Sequence, residues 1–178
     1  MNKTNSNNIT IVVTGLAWMG HGIRSIDSTI EEILTEASDE IQVAAYMITK
    51  GAKGFIQLLS DCLSRGVRVT LILNRYREQP KETQTAIAQL AQQFPHFRLF
   101  EFNPKDKMED LHAKLVVVDR SIALVGSSNL SWKGLTLNHE LALLIEGPAA
   151  TKVSNLIDIL AKDTRTTPSM LWAKNIKH

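Results

Sequence analysis

The chain has 178 residues, of which 44% are hydrophobic and 21% charged, with a formal net charge of +2. These values are typical of a folded globular domain and exclude a disordered or fibrous chain, while the mild basicity permits a polyanionic partner without requiring one. A single cysteine excludes an internal disulfide and favours a cytoplasmic location, and the sequence has no apolar run of the roughly 18 residues that cross a membrane.

Hydrophobic periodicity predicts strands that alternate with helices along the chain. Alternating or β-branched runs predict strands at 9–14, 40–49, 67–73, 97–102, a hairpin within 111–125, and 139–146. Apolar residues three and four positions apart predict helices in "SIDSTIEEILTEA", "KGFIQLLSDCLSRG", "PKETQTAIAQLAQQF" and "ATKVSNLIDILAKD", the first capped by Ser25 or Asp27 and the second closed by Gly66. This order predicts the α/β class, as a layered α/β/α sandwich around a mixed β-sheet.

One domain is predicted for residues 9–163, because no repeat, linker or low-complexity segment divides that stretch. The polar start, residues 1–8, is expected to be a disordered N-terminus. Residues 164–178 form a C-terminal tail whose structure the sequence does not predict.

The loop after the first strand, "GLAWMGHG", has the glycine spacing of a phosphate loop at Gly15 and Gly20. His21 and Gly22 replace the lysine and hydroxyl residue that would meet phosphate and magnesium, so a nucleoside triphosphatase is not predicted. The loop still leaves a strand end, where α/β sheets place ligand sites. The five histidines have no metal-ligand spacing, and "GSSNL" is not a nucleophile elbow.

The predicted hairpin carries polar residues at one end. His112 and Lys114 are two positions apart on a strand and therefore project from the same face. The return strand ends in "GSSN" (126–129), which offers a close backbone approach and small hydrogen-bonding side chains. An imidazole, an ammonium and neutral donors together favour a pocket for a tetrahedral oxyanion. A carboxylate on the next strand, Glu140, can hold the imidazole as the third member of a triad does.

The spacing of these residues resembles the complete signature of the phospholipase D superfamily. The strand "VAAYMIT" (43–49) is similar to an early strand of the family, and the resemblance spans about residues 25 to 160. Its specific part is the pattern His112-x-Lys114-x4-Asp119-x6-Gly126-Ser127-x-Asn129, followed by Glu140. The chain looks most like compact single-motif bacterial nucleases, including ones associated with antiphage defence.

The resemblance implies phosphodiester cleavage in two steps, with no metal and no cofactor. It implies that His112 attacks phosphorus to form a phosphohistidine and that Glu140 orients its ring. Lys114 and Asn129 would hold the nonbridging oxygens, with Ser127 as a helper. For Asp119 we expect a structural role, through hydrogen bonds within the hairpin.

Only one copy of the motif is present, although the implied chemistry uses two histidines. His21, His96 and His139 all lack a following x-Lys and "GSxN". We therefore expect a homodimer with a two-fold axis through the site, in which each chain supplies one motif.

Three functions remain open. Basic and aromatic residues near the motif favour a nuclease acting on DNA or RNA, with other subunits of a defence complex as further candidate partners; the alternative for these side chains is a solvated rim or simple packing. The second function is a phospholipase or cardiolipin-type lipid phosphodiesterase, although the sequence shows no amphipathic membrane helix and no membrane partner is expected. The third is a nucleic-acid-binding subunit with a weak or inactive site. The predicted substrate-binding residues are Arg75, Tyr76, Arg77, Ser128, Trp132 and Lys133.

Overall fold

The computed structural model describes residues 6–49, 53–106 and 108–169, which form helices and strands in the predicted alternation. Two short helical turns, a 3-10 turn at Tyr76–Glu78 and a π-turn at Lys133–Leu137, interrupt the connections. The main elements are β1 (Asn8–Thr14), β2 (Arg24–Ser25), α1 (Ile26–Thr35), β3 (Glu40–Ala45), α2 (Lys53–Ser64), β4 (Arg68–Asn74), α3 (Lys81–Gln93), β5 (Phe97–Phe102), β6 (Lys114–Val118), β7 (Ile122–Gly126), β8 (Glu140–Glu146), α4 (Pro148–Ala161) and β9 (Thr166–Pro168).

The strands form one nine-stranded sheet in the order β2-β1-β8-β7-β6-β3-β4-β5-β9. Strands β3, β4 and β5 are parallel, as helical crossovers require, whereas β6, β7 and β8 form an antiparallel meander. The predicted mixed sheet is therefore confirmed.

Helices cover both faces of the sheet, which confirms the layered α/β/α architecture. On one face, apolar residues of α1, α2 and α3 pack against the sheet in a core that includes Leu34, Leu59 and Ile87. On the other face, α4 contributes Ala150 and Ile157 to a smaller core. The two cores fix the sheet between two helical layers.

The helix ends follow the sequence signals. Ser25 caps α1, because its Oγ accepts a hydrogen bond from the Ser28 backbone N–H at 3.1 Å. Gly66 follows α2 with φ +89°, a left-handed conformation that glycine adopts without strain. Cys62 of α2 is buried, and burial raises the pKa of its thiol, as expected for a core residue.

The structure differs from the predicted elements at several element ends and adds the short strand β2. Strand β3 ends at Ala45 rather than continuing to residue 49, because the chain turns so that Ile48 forms a single parallel bridge with Leu130. In the predicted tail, Thr166–Pro168 pairs antiparallel with β5. Of the predicted N-terminal segment, Asn8 already belongs to β1; residues 1–5 and 170–178 lie outside the described residues.

None of the helices in the described ranges is long and apolar enough to cross a membrane.

One edge of the sheet gathers the polar residues of the motif. Strands β1, β3, β4 and β7 end at this edge, and β6 and β8 begin there. The residues at these strand ends are Thr14, Ala45, Asn74, Lys114, Gly126 and Glu140. We call this the catalytic edge, because the predicted catalytic residues lie there.

Candidate active site

The β6–β7 hairpin is tied down at the end opposite the catalytic edge. Its turn residues Asp119 and Arg120 have φ of +47° and +56°, left-handed conformations within the three-residue connection between the paired residues Val118 and Ile122. The Asp119 carboxylate accepts hydrogen bonds from the backbone N–H groups of Ser38, Asp39 and Glu40 at 2.8–3.0 Å and from the Ser38 hydroxyl at 2.9 Å. The expected partners within the hairpin were therefore wrong: the bonds join the turn to the loop before β3.

The environment of Asp119 keeps it ionised. Burial alone would raise the pKa of this carboxyl, but the hydrogen bonds from Glu40, Ser38 and Asp39 outweigh burial and place the pKa below its ordinary value. Arg120 beside it pairs with both Glu40 and Asp158, the latter at 2.7 Å. The turn thus links the loop before β3, the hairpin and α4.

His112 and Lys114 are in direct contact at the catalytic edge. Lys114 Nζ lies 3.0 Å from His112 Nδ1 and donates to the His112 carbonyl at 2.7 Å. An ammonium has only donors, so a ring nitrogen that bonds to it acts as the acceptor. The contact places an imidazole and an ammonium side by side at this edge.

Two opposing effects act on the Lys114 ammonium. Partial burial lowers the pKa of Lys114, and the negative charge of Glu140 raises it, with burial the larger effect. The net pKa lies below the ordinary lysine value, which brings proton loss closer to neutral pH. Lys114 and Glu140 therefore interact electrostatically across the intervening strand β7.

Tyr46, the residue after β3, forms one wall of the site. Its ring centroid lies 4.9 Å from that of His112 at an interplanar angle of 54°, and Lys114 Nζ lies 5.6 Å from the Tyr46 centroid. The aromatic face supports the cation and limits the positions of the imidazole.

The segment before His112 is fixed by the end of β4. Asn74 Oδ1 accepts from the Leu111 backbone N–H at 2.9 Å, and Asn74 Nδ2 donates to Asp110 at 3.0 Å. Arg75 Nε donates to the same Asp110 oxygen at 3.1 Å. These bonds from Asn74 and Arg75 lower the pKa of Asp110 and fix the backbone one residue before His112.

Glu140 belongs to a second hydrogen-bonded group at the same edge. The Ser127 hydroxyl donates to one of its carboxylate oxygens, and Asn138 Nδ2 donates to the other at 3.2 Å. The described residues of one chain thus show Glu140 bound by Ser127 and Asn138, not by His112. Its expected role in orienting the ring stays a prediction.

Glycine and asparagine shape the floor of the site. A Cβ on Gly126 would lie 2.4 Å from Ala142 Cβ, so only glycine lets β7 approach β8 this closely. The Asn129 side-chain oxygen is buried and has no hydrogen-bond partner among the described residues, while its carbonyl accepts from the Ser131 N–H at 2.8 Å. The backbone around Asn129 is therefore fixed.

The six predicted substrate-binding residues lie in different environments. Arg75 is engaged by Asp110, Tyr76 is buried and donates to the Gln84 carbonyl at 2.9 Å, and the Ser128 hydroxyl is turned to a backbone carbonyl. Three others remain accessible: Arg77, Trp132 and Lys133. Substrate contacts are most directly available to these three.

No hydrogen bond or ring contact joins His112 to a second histidine within the described ranges. His96 bonds the Leu63 carbonyl at 3.0 Å, near the start of β4 and away from the catalytic edge, and His139 contacts Trp18. His21 is exposed in the loop after β1, and His178 lies outside the described residues.

Sequence reasoning missed three residues of the site: Tyr46, Asn74 and Asn138. Tyr46 and Asn74 directly follow or end buried strands, a position that indicates the carboxyl edge of a sheet. Asn138 lies two residues before Glu140, which was a usable signal because residues two apart near a strand share a face.

Comparison with known proteins places this geometry in a family. A family model described as "Cardiolipin synthase, PLD-like domain" matches residues 30–161. The DISARM protein DrmC of Bacillus paralicheniformis is 24% identical over 142 residues, which cover 79% of this chain and 58% of DrmC. This chain therefore spans little more than half the length of that relative.

Two solved structures share the fold over nearly their whole length. Nuc from Salmonella typhimurium, a phospholipase D family member, has a TM-score of 0.73 and 17% identity, covering 92% of this chain and 99% of Nuc. NucT from Helicobacter pylori has a TM-score of 0.71 and 17% identity, covering 88% of this chain and 97% of NucT. Since the family model spans well over half of the chain and the signature residues other than Asp119 meet at one sheet edge, the chain belongs to the phospholipase D-like family.

Proposed function

We propose that this protein is a metal-independent phosphodiesterase that hydrolyses DNA or RNA as a homodimer, through a phosphohistidine. The observation that carries the proposal is the placement of an imidazole beside an ammonium, with Lys114 Nζ 3.0 Å from His112 Nδ1. It puts a candidate nucleophile and a cation for the nonbridging oxygens at the same place.

In the first step a ring nitrogen of His112 forms a bond to phosphorus, and the bond from phosphorus to the leaving oxygen breaks. Lys114 and the Asn129 amide stabilise the nonbridging oxygens, on which negative charge increases. A second histidine donates its proton to the leaving oxygen. In the second step that histidine takes a proton from water, the water oxygen bonds to phosphorus, and the phosphorus–nitrogen bond breaks.

The second histidine is assigned to His112 of another copy, because no second histidine contacts His112 in the described part of one chain. Exposed apolar groups support a surface for that copy. One face of the sheet is exposed at Ile9 and Ile11 of β1 and at Leu141 of β8. Helix α4 packs on the same face but over other strands, and it exposes Leu156 and Ile159 itself. In a two-fold dimer, α4 of each copy can cover the β1–β8 face of the other.

Nucleic acid is the substrate that the comparisons and the accessible residues together favour. Nuc and NucT share the fold over nearly their whole length, and DrmC is named as a DISARM protein, which supports a place in a bacterial defence complex in the cytoplasm. Trp132 and Lys133 are exposed beside the motif and suit bases and phosphates.

The test is incubation of labelled single- and double-stranded DNA and RNA in EDTA. Hydrolysis by the wild type and by His96→Ala, with none by His112→Ala, is expected; the His96 control removes a histidine that lies away from the catalytic edge. Trapping of a labelled strand fragment on His112 through its phosphate, in samples denatured at alkaline pH because the phosphorus–nitrogen bond is labile in acid, tests the intermediate. Turnover that persists in His112→Ala contradicts the mechanism.

The shared site has its own test, subunit mixing. Co-refolding wild type with an equal amount of His112→Ala should reduce the activity per mole of total protein to about a quarter of the wild-type value, because random pairing makes about a quarter of the dimers wild-type pairs and only these carry two histidines. A reduction to one half, or a strictly monomeric active species in light scattering, contradicts a shared site.

A lipid phosphodiesterase is the second candidate, favoured by the description of the family model as a cardiolipin synthase domain. It predicts turnover of phospholipid vesicles and none of oligonucleotides. Salt-sensitive nucleic-acid binding that survives His112→Ala, without any turnover, would instead identify a binding subunit.

A further inference from the structure

The loop that follows β1 at the catalytic edge, residues 15–23, exposes several large apolar side chains to solvent. Trp18, Met19 and Ile23 are all accessible, and Leu16 is 84% exposed. The loop sequence "GLAWMGHGI" contains no carboxylate. Clustered exposed apolar residues indicate a contact surface, and the lack of negative charge suits a polyanion.

Trp18 is fixed within this loop. Its backbone N–H and that of Met19 donate to the Gly15 carbonyl at 3.0 and 3.2 Å, closing a turn. The Trp18 ring stands edge-to-face against His139, with centroids 5.4 Å apart and an interplanar angle of 86°. The Ala17 N–H also donates to His139 Nε2 at 3.2 Å. The indole is thus positioned before any ligand arrives.

Gly15 makes this packing possible. A Cβ there would lie 2.7 Å from the His139 ring, and φ at Gly15 is +112°, a backbone conformation that residues other than glycine rarely adopt. The chain therefore packs its backbone directly on the histidine that braces Trp18.

The braced indole lies next to the catalytic residues. His139 immediately precedes Glu140, and Thr14, the last residue of β1, pairs with Glu140 in register. The Thr14 hydroxyl also donates to the Leu135 carbonyl at 3.4 Å, which joins β1 to the π-turn that follows the exposed Trp132. Trp18 therefore lies at the same sheet edge as His112, on the Glu140 side, with β8 and β7 between β1 and the strand that follows His112.

We propose that Trp18, braced by His139, stacks against an unpaired base of the nucleic-acid strand whose phosphodiester lies at His112. The proposal rests on the proposed function and names its substrate class: single-stranded nucleic acid, bound without sequence preference. Every base has an aromatic face, so stacking tolerates any sequence, but the base must first be free of its own duplex. Trp18 is then a specificity-determining residue and His139 a positioning residue.

The experiment compares the wild type with Trp18→Leu, Trp18→Phe and His96→Ala on single-stranded oligonucleotides in EDTA. Trp18→Leu keeps apolar bulk but loses the aromatic face, so KM should rise about five-fold to a hundred-fold with kcat unchanged. Trp18→Phe keeps an aromatic face and should lose much less than Trp18→Leu, and the control His96→Ala, away from this edge, should stay near wild type. An abasic position beside the cleaved bond should raise KM for the wild type and leave Trp18→Leu unaffected.

His139→Ala tests the brace. It should raise KM as Trp18→Leu does, and the double variant should lose no more than the larger single loss, because His139 acts through Trp18. Its insensitivity to the abasic position is a readout that a merely structural role would not change.

Binding measurements separate this proposal from the proposed function. In the His112→Ala background, fluorescence anisotropy with single-stranded oligonucleotide should lose affinity on adding Trp18→Leu. If the wild type cleaves no nucleic acid but this binding difference persists, the nuclease proposal falls and the stacking proposal stands.

Three outcomes overturn the stacking proposal. The first is an unchanged KM and affinity in Trp18→Leu. The second is a change of oligomeric state in that variant, which assigns the loop to contacts between copies. The third is loss of binding to phosphatidylglycerol vesicles with unchanged binding to oligonucleotides, which assigns it to a membrane surface.

Discussion

Replacing Asp119 by alanine separates a structural role from a catalytic one within the signature itself. The carboxylate accepts three backbone N–H bonds and one hydroxyl bond from residues 38–40. Hydrogen bonds to charged groups contribute about 1.5–3 kcal/mol each, but the exposed donors regain water, so we expect a net loss of about 2–4 kcal/mol. For a chain of this length that lowers Tm by about 5–15 °C.

The assay is thermal unfolding by circular dichroism, together with phosphodiester hydrolysis at 25 °C. Asp119→Ala should lower Tm but keep kcat/KM within about three-fold of wild type while it remains folded. The matched control is Asp39→Ala in the same loop, whose side chain makes only an exposed pair with Arg68 at 3.0 Å and should cost about 0–1 kcal/mol. Unchanged Tm with lost activity in Asp119→Ala would refute the structural assignment.

The pH dependence of this effect has a defined sign. Because the folded pKa of Asp119 is lowered, its stabilisation is fully present above the ordinary aspartate pKa of about 3.9 and is lost as pH falls through the folded value. The Tm difference between wild type and Asp119→Ala should therefore shrink in acid.

Three further predictions concern residues at the catalytic edge. Gly126→Ala places a Cβ 2.4 Å from Ala142 Cβ and should cost about 1–3 kcal/mol in chemical denaturation and reduce activity, with partial recovery in a double variant that adds Ala142→Gly. The proposed mechanism uses the positive charge of Lys114, whose pKa is lowered, so activity should fall as pH rises, at a pH below the ordinary lysine pKa. Because Glu140 raises the pKa of Lys114, Glu140→Gln should move that fall to a still lower pH in a pH–rate profile. Asn138→Asp should reduce kcat more than Asn138→Ala, because it adds a like charge beside Glu140.

Most of the strands and helices could be predicted from local sequence patterns. Strand β5 was predicted at its observed limits, and the β6–β7 hairpin was recognised from two aliphatic runs and a short turn, because side-chain periodicity depends only on neighbouring residues. The tail strand Thr166–Pro168 was missed, since three residues with little apolar character carry no strand pattern until an edge strand pairs with them.

Contacts between distant segments were not predictable in the same way. The partners of Asp119 lie about 80 positions earlier in the chain, and the packing of Trp18 on His139 joins residues 121 positions apart. Tyr76 was predicted to bind substrate because it lies between two arginines, but it is buried in the 3-10 turn at Tyr76–Glu78. The candidate catalytic side chains could be named from the sequence because their spacing is local, and their catalytic role stays a prediction; the residues that support them depend on the tertiary fold.

The contacts of the turn at Asp119 and Arg120 are completed in steps as the chain is synthesised. A ribosome releases the loop before β3 first and the hairpin later, and Asp158, which Arg120 binds at 2.7 Å, comes last. A nascent chain that ends before α4 thus lacks one of the anchors of the hairpin that carries His112. The hairpin that carries His112 gains this anchor only after α4 has been synthesised, so chains that end before α4 should hold the hairpin less firmly than chains that include it.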